Sequence, residues 1–140
     1  MILLDTNVWI DAFAPGAPHH AWAAGLVRQG LLGEGIAINP VILAELCVGD
    51  CHPDTVWDRL DQLGVTLLDL PARTSWRCAQ AYGDYLENRR QLDAPTAPKM
   101  PLPDFFIGAH ASLLDLPLAT ADTKRYRTYY PEVRLITPSP

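Results

Sequence analysis

The sequence predicts a three-layer α/β fold, in which helices cover both faces of a mostly parallel central sheet with short strands. Two observations predict it. Short apolar runs alternate along the chain with longer segments in which apolar residues recur at helical spacing. The runs at 2–4 and 36–38 are apolar at every position, which is typical of parallel strands buried on both faces.

The predicted strands and helices follow one another along the whole chain. Asn39 and Pro40 predict a helix start, because asparagine caps helices and proline favours the first helical position. Gly33 and Gly35 predict the end of the preceding helix. In chain order the predicted elements are a strand at 2–4, helices to about 13 and at 21–32, a strand at 36–38, helices at 40–49 and 54–63, a strand at 65–68, helices at 71–92 and 105–114, a strand at 118–120, a turn or short helix at 122–126 and a strand at 133–136.

Two of these segments carry further expectations. The helix predicted at 71–92 has apolar residues at helical spacing that we expect to face the core. They are Trp76, Ala79, Tyr82 and Leu86. Residues 94–103 contain four prolines and predict a stiff, extended loop that leads directly to Asp104.

Length and composition predict one domain over residues 1–140. No apolar run reaches the roughly 18 residues that a membrane helix needs, and no basic residue precedes the apolar start. We therefore expect neither a membrane span nor a signal peptide. Three cysteines are an odd number for a disulfide framework, which favours a reducing, cytoplasmic location.

Four acidic residues are candidates for an active site: Asp5, Glu45, Asp104 and Asp122. Asp5 and Asp122 follow predicted strands, and sites in parallel sheets lie beyond the carboxyl ends of the strands. Each aspartate could instead cap a helix or a turn. Glu45 is the only polar side chain in residues 41–48, so we expect it to be largely buried. A buried carboxylate requires a metal ion or an arginine, with partial exposure as the alternative.

Four carboxylates without histidine or cysteine suit a hard cation, Mg²⁺ or Mn²⁺, rather than zinc. Such an ion makes water more acidic and stabilises the leaving oxygen in phosphodiester hydrolysis. It would also reverse the local field, so the net charge of −5 does not exclude a nucleic-acid substrate. Thr6, Asn7 and Thr120 are the right residue types to orient the acids, or they are ordinary caps.

Four segments resemble the motifs of one protein family, in the family's order and spacing. They are residues 2–8, ILLDTNV; residues 39–46, NPVILAEL; residues 103–111, PDFFIGAHA; and residues 118–122, LATAD. The chain is thereby similar to a PIN-domain ribonuclease, specifically to the VapC-type toxins of bacterial toxin–antitoxin pairs. The resemblance implies a parallel sheet with flanking helices and an Mg²⁺- or Mn²⁺-dependent endoribonuclease. It also implies a homodimer and a cognate antitoxin protein that blocks the site.

On this resemblance the four acids take catalytic and metal-binding roles, with Asp5 and Asp104 as direct metal ligands. Asp115 is a nearby alternative to Asp122. Trp9 and Trp22 are expected in the core, or in an apolar groove that binds the antitoxin.

Three other functions stay open at this point. One is a PIN nuclease that processes RNA without being a toxin, and another is a non-catalytic module that binds RNA or a protein partner. A phosphatase of the haloacid-dehalogenase type also begins with an apolar strand and an aspartate. That chemistry needs a second aspartate two positions after Asp5, where this chain has Asn7.

Overall fold

A computed structural model describes residues 1–48, 52–91 and 100–139 of the chain. Five strands alternate with seven helices in these residues. The strands are β1 (Ile2–Leu4), β2 (Ile36–Ile38), β3 (Thr66–Leu67), β4 (Leu118–Ala119) and β5 (Leu135–Ile136). The helices are α1 (Thr6–Ala12), α2 (His20–Leu32), α3 (Pro40–Cys47), α4 (Pro53–Leu63), α5 (Thr74–Gln91), α6 (Leu102–Leu114) and α7 (Thr123–Tyr129).

The five strands form one sheet in the order β3-β2-β1-β4-β5, and every neighbouring pair is parallel. The predicted α/β class with a parallel sheet is confirmed. β1 lies at the centre, where Leu3 pairs with Ala37 on one side and with Leu118 on the other. The carboxyl ends of β1, β2 and β4 therefore lie side by side, and the residues that follow these strands are neighbours.

The sheet is covered on both faces. Leu3 and Leu4 are consecutive in a strand, so their side chains point to opposite faces, and both are fully buried. All three residues of β2 are fully buried as well. The apolar runs that predicted the strands are thus explained by burial on two sides.

The start of α3 has the predicted cap, and the cap also joins two helices. The Asn39 side chain accepts a hydrogen bond from the Ile42 backbone N–H at 2.9 Å, and Pro40 is the first helical residue. Asn39 Nδ2 donates to Nδ1 of His110 in α6 at 3.1 Å. Burial lowers the pKa of His110, which favours the neutral ring that can accept this bond. The helices that carry Glu45 and Asp104 are therefore held together from inside the core.

The core-facing side of α5 was predicted incorrectly. Its buried residues are Thr74, Cys78, Ala81 and Tyr85. Trp76 is 78% exposed, Ala79 and Leu86 are exposed, and Tyr82 is only partly buried. The helix has apolar side chains on two faces, and helical spacing alone does not distinguish the face that packs against α6 from the one that points outward.

The predicted boundaries around the proline-rich segment also change. Pro101 is the N-cap of α6, and Pro103 lies in its first turn, so the helix begins at Leu102 rather than after Asp104. Proline is accepted there because the first helical N–H groups have no partner within the helix. Pro95, Pro98 and the predicted helix ends at residues 49 and 92 lie outside the described residues.

Within the described ranges, no helix combines the length and the apolar character that a membrane crossing requires.

Candidate active site

Asp5 lies at the carboxyl end of the central strand and is 4% exposed. Its Oδ1 accepts a hydrogen bond from the backbone N–H of Thr6 at 2.8 Å. Its Oδ2 accepts three: from Asn7 Nδ2 at 3.1 Å, Thr120 Oγ1 at 2.8 Å and the Tyr126 hydroxyl at 3.2 Å. The carboxylate is both the N-terminal cap of α1 and the centre of a hydrogen-bond network.

Thr120 connects Asp5 to the segment that carries Asp122. Its hydroxyl donates to Asp5 and accepts from the Asp122 backbone N–H at 3.0 Å and from Asn7 Nδ2 at 3.3 Å. The hydroxyl thereby uses its one proton and both lone pairs. Asn7 Oδ1 accepts from the Ala121 backbone N–H at 3.1 Å. These hydrogen bonds connect the end of β1 to the turn after β4 around the Asp5 carboxylate.

Asp104 and Asp122 share one arginine. Arg125 Nη1 lies 2.8 Å from Asp104 Oδ2, and Arg125 Nε lies 3.1 Å from Asp122 Oδ2. Asp104 stands in the first turn of α6, and Asp122 immediately precedes α7. Neither is the side-chain cap of its helix: Pro101 is the N-cap of α6, and Asp122 makes no side-chain capping bond. The capping alternative is wrong for these two residues.

The acids at the site repel one another. Burial and the negative charge of Asp5 raise the pKa of Asp104 to about 6, although Arg125 lowers it. Burial raises the pKa of Asp5, against the hydrogen bonds from Thr120, Thr6 and Tyr126. Burial and the charge of Asp5 also raise the pKa of the Tyr126 hydroxyl well above its usual value, so this group stays protonated and donates. A cation near Asp5 and Asp104 would relieve this repulsion.

Glu45 differs from the prediction. In α3 only Ile42 is buried, and Glu45 is half-buried, so an apolar sequence did not mean a helix packed on all sides. Glu45 is partly exposed, and a hydrogen bond from Thr6 supplements this exposure, while its role as a metal ligand stays a prediction. Thr6 Oγ1 donates to Glu45 Oε1 at 2.9 Å. Thr6 therefore contacts Asp5 through its backbone and Glu45 through its side chain.

Sequence reasoning missed two contributors to the site, Arg125 and Tyr126. Both belong to α7, which was predicted only as a turn or short helix, and both contact acids far away in the sequence. The alternative acid Asp115 is exposed and ends α6 in the left-handed conformation, with φ 52°. It stands at the opposite end of the helix from Asp104, roughly 16 Å away at 1.5 Å per residue.

The donor chemistry fits a hard divalent cation. Asp5 Oδ1 has accepting capacity beyond its bond to Thr6, and Asp104 and Glu45 act electrostatically on the same region. Among the described residues no three acidic, histidine or cysteine side chains are arranged to enclose one ion. Magnesium commonly takes one or two protein carboxylates and completes its shell with water and substrate phosphate oxygens. The carboxylates present therefore fit an ion of this kind, for which one or two protein ligands are enough.

An apolar groove of about 400 Å³ lies on another part of the surface. It is lined by Trp9, Ile10, Phe13, Leu46, Val56, Arg59, Leu60 and Leu63, which belong to α1 and its C-cap, α3 and α4. Trp9 is fully buried and stacks on Phe13, which is 62% exposed. Trp22 is half-buried against the core. Arg59 is the charged residue in this otherwise apolar lining.

A family model described as PIN domain matches residues 2–130 of the chain. The chain belongs to the PIN-domain family. The match spans all four predicted motifs and both sides of the Asp5 network. In this PIN domain the sheet topology brings four parts of the chain together. They are the Asp5 carboxylate at the end of β1, the β2–α3 segment, the start of α6 and the turn after β4.

Solved structures share this PIN-domain architecture over nearly their whole length. FitAcB from Neisseria gonorrhoeae is 25% identical, with a TM-score of 0.68, and the alignment covers 99% of this chain and 98% of that one. VapBC2 from Rickettsia felis, bound to promoter DNA, is 22% identical with a TM-score of 0.63 and 98% coverage of both chains. VapC20 from Mycobacterium tuberculosis is described as a sarcin-ricin loop cleaving toxin. It is 17% identical with a TM-score of 0.62, and the alignment covers 96% of this chain and 99% of that one. A comparison with curated protein sequences finds no significant match.

Proposed function

We propose that this PIN domain is a divalent-metal-dependent endoribonuclease that acts as the toxin of a toxin–antitoxin pair in the cytoplasm. One observation carries the nuclease proposal: the Thr120 hydroxyl joins the buried Asp5 carboxylate, at the end of the central strand, to the segment that holds Asp122. Asp122 in turn shares Arg125 with Asp104, so three acids converge at this end of the sheet. A fold that keeps two repelling carboxylates together at a strand end is suited to binding a cation. The proposal treats residues 1–140 as one nuclease domain.

The proposed ligands of Mg²⁺ or Mn²⁺ are Asp5 and Asp104, with Glu45 and Asp122 as further acids. When bound, the ion makes water more acidic and neutralises charge on the phosphate. Asn7, Thr120 and Tyr126 hold the Asp5 carboxylate in one orientation through its Oδ2. Oδ1, which accepts one bond from Thr6, is then the oxygen available for an ion.

The experiment that tests this function measures cleavage of labelled single-stranded RNA by the purified protein. We expect endonucleolytic products with Mg²⁺ or Mn²⁺, and a loss of at least a hundredfold with excess EDTA. Asp5→Ala should be inactive while still giving a cooperative thermal transition. Cleavage that continues undiminished in EDTA would refute the metal mechanism, and single-stranded DNA as a parallel substrate tests the choice of RNA.

The toxin proposal is supported by the four VapC-like motifs and by the apolar groove. Solved neighbours with the same fold are described as VapBC assemblies or as a cleaving toxin. The groove exposes Ile10 and Phe13 to solvent, and Arg59 adds a positive charge. We propose that an amphipathic, acidic segment of the antitoxin binds there, with an apolar face toward Phe13 and a carboxylate toward Arg59.

We also propose a homodimer in which two copies pack through α5. Trp76, Ala79 and Leu86 lie at helical spacing on one exposed face of this helix. A large exposed tryptophan with apolar neighbours is typical of a protein–protein contact.

Light scattering tests the homodimer, and we expect about twice the chain mass of 15.5 kDa. Trp76→Glu should give the monomer mass, because it places a charge in an apolar contact. Leu32→Glu, a change at an 84% exposed residue of α2, should leave the dimer intact. A wild-type protein that stays monomeric at high micromolar concentration would exclude the dimer.

A further inference from the structure

Arg125 forms a bridge between two of the four acids. Its Nη1 contacts Asp104 and its Nε contacts Asp122, and in each case the contact atom is Oδ2. The two carboxylates belong to different parts of the chain, the first turn of α6 and the residue before α7. One guanidinium therefore bridges a pair of acids that the fold brings together from residues 104 and 122.

The guanidinium and a divalent ion would both bind the carboxylates of Asp104 and Asp122. An arginine side chain keeps its charge at every relevant pH, so it cannot lose a proton to make room for a second cation. An ion that takes oxygen atoms of Asp104 or Asp122 must either displace the guanidinium or bind against its positive charge. Arg125 is 36% exposed, which leaves its side chain a path into solvent.

We propose that Arg125 is the resident counter-ion of Asp104 and Asp122, and that divalent metal displaces it when it binds. This inference rests on the proposed metal-dependent function. Arg125 holds the two carboxylates in place and offsets the repulsion between Asp104 and Asp5 until an ion replaces it. It also raises the metal concentration at which the site fills, because a bound ion must compete with the ion pairs that Arg125 makes to the carboxylates.

The first test compares Mn²⁺ affinity by calorimetry in the wild-type protein and in Arg125→Gln. We expect the variant to bind Mn²⁺ about fivefold more tightly, since the competing cation is gone while all four acids remain. Arg127→Gln is the matched control: the residue is exposed on the same helix and the charge change is identical. It should change the dissociation constant less than twofold.

The second test follows the guanidinium itself. Phenylglyoxal modifies accessible arginines, and peptide mass spectrometry measures the rate at each position. Saturating Mg²⁺ should accelerate modification of Arg125 at least threefold and leave the rate at Arg127 unchanged. A merely structural ion pair would show equal rates at Arg125 with and without Mg²⁺, and that result would overturn the proposal.

The outcomes separate this inference from the proposed function. If the wild-type protein binds no Mn²⁺, the metal-dependent function itself fails. If it binds Mn²⁺ and Arg125→Gln binds with equal or weaker affinity, only the counter-ion role fails. Should the glutamine variant not fold by circular dichroism, Arg125→Lys serves instead, because one ammonium cannot span both carboxylates and should bind Mn²⁺ about twofold more tightly.

Discussion

Asp104→Asn should abolish RNA cleavage and at the same time stabilise the protein prepared in EDTA at pH 7. The loss of activity follows from removing a proposed metal ligand. Metal ions contribute several kcal/mol to transition states of this kind, and each 1.4 kcal/mol is about tenfold in rate, so we expect a loss of about a thousandfold. Initial rates of RNA cleavage in saturating Mg²⁺ measure it.

The gain in stability follows from the raised pKa. Asp104 titrates at about 6 in the folded protein and near 3.8 in the unfolded chain, so the folded state binds this proton more tightly. Raising the pH from about 4 through 6 therefore removes up to about 3 kcal/mol of stability from the wild-type protein. Asparagine avoids this cost, which already includes the favourable effect of Arg125. The amide does not reproduce every contact of the carboxyl group, so we expect a net gain of about 1 to 2 kcal/mol at pH 7.

Thermal unfolding in EDTA checks this prediction, with an expected rise in Tm of roughly 3 to 7 °C at pH 7 and a smaller difference at pH 4.5. Asp115→Asn is the control, since it makes the same chemical change at the other end of α6. Asparagine accepts the left-handed conformation of that position, so stability and cleavage should stay at wild-type values. An active Asp104→Asn protein would remove Asp104 from the mechanism.

If the proposed antitoxin binds in the groove, Phe13→Glu should abolish inhibition by the antitoxin without impairing RNA cleavage. Phe13 stacks on the buried Trp9 at the edge of the groove and is open to solvent. A partner helix that covers it would have to bury the new carboxylate without a partner, at a cost of several kcal/mol. We expect the affinity for the antitoxin to fall at least about a hundredfold.

The measurement uses the product of the small reading frame expected next to the gene, titrated against RNA cleavage. Wild-type protein and Leu32→Glu should be inhibited at equal concentrations, whereas Phe13→Glu should stay active at a large excess. Equal inhibition of all three proteins would place the antitoxin elsewhere. A neighbouring gene that encodes no inhibitor would refute the toxin role. The alternative would then be a PIN nuclease that processes RNA without being a toxin.

Local signals in the sequence predicted the strands and the position of Asp5 at the end of the first strand. The burial of Leu3, Leu4 and all of β2 leaves apolar runs in the sequence. Asn39 and Pro40 specify the start of α3 through contacts within a few residues. Such features depend on near neighbours in the chain. Asp5 could be placed at a strand end for the same reason.

Contacts between distant residues were not predictable in this way. The Tyr126 hydroxyl donates to Asp5, which lies 121 positions earlier in the sequence. Arg125 contacts Asp104, 21 positions earlier, and no local sequence pattern indicates either contact. Thr120 was expected to support the acids because it precedes Asp122, yet its hydroxyl donates to Asp5. The apolar sequence of α3 and the two apolar faces of α5 misled the prediction, because hydrophobicity does not say which side meets the core and which meets solvent.

The order of synthesis gives the central position of β1 a further meaning. Asp5 leaves the ribosome 115 and 121 residues ahead of two of its Oδ2 partners, Thr120 and Tyr126. The strand on one side of β1 is β4, which is also synthesised long after β1. The proposed catalytic centre therefore cannot assemble until the segment that forms α7 has been synthesised, and a shorter nascent chain cannot act as the proposed nuclease.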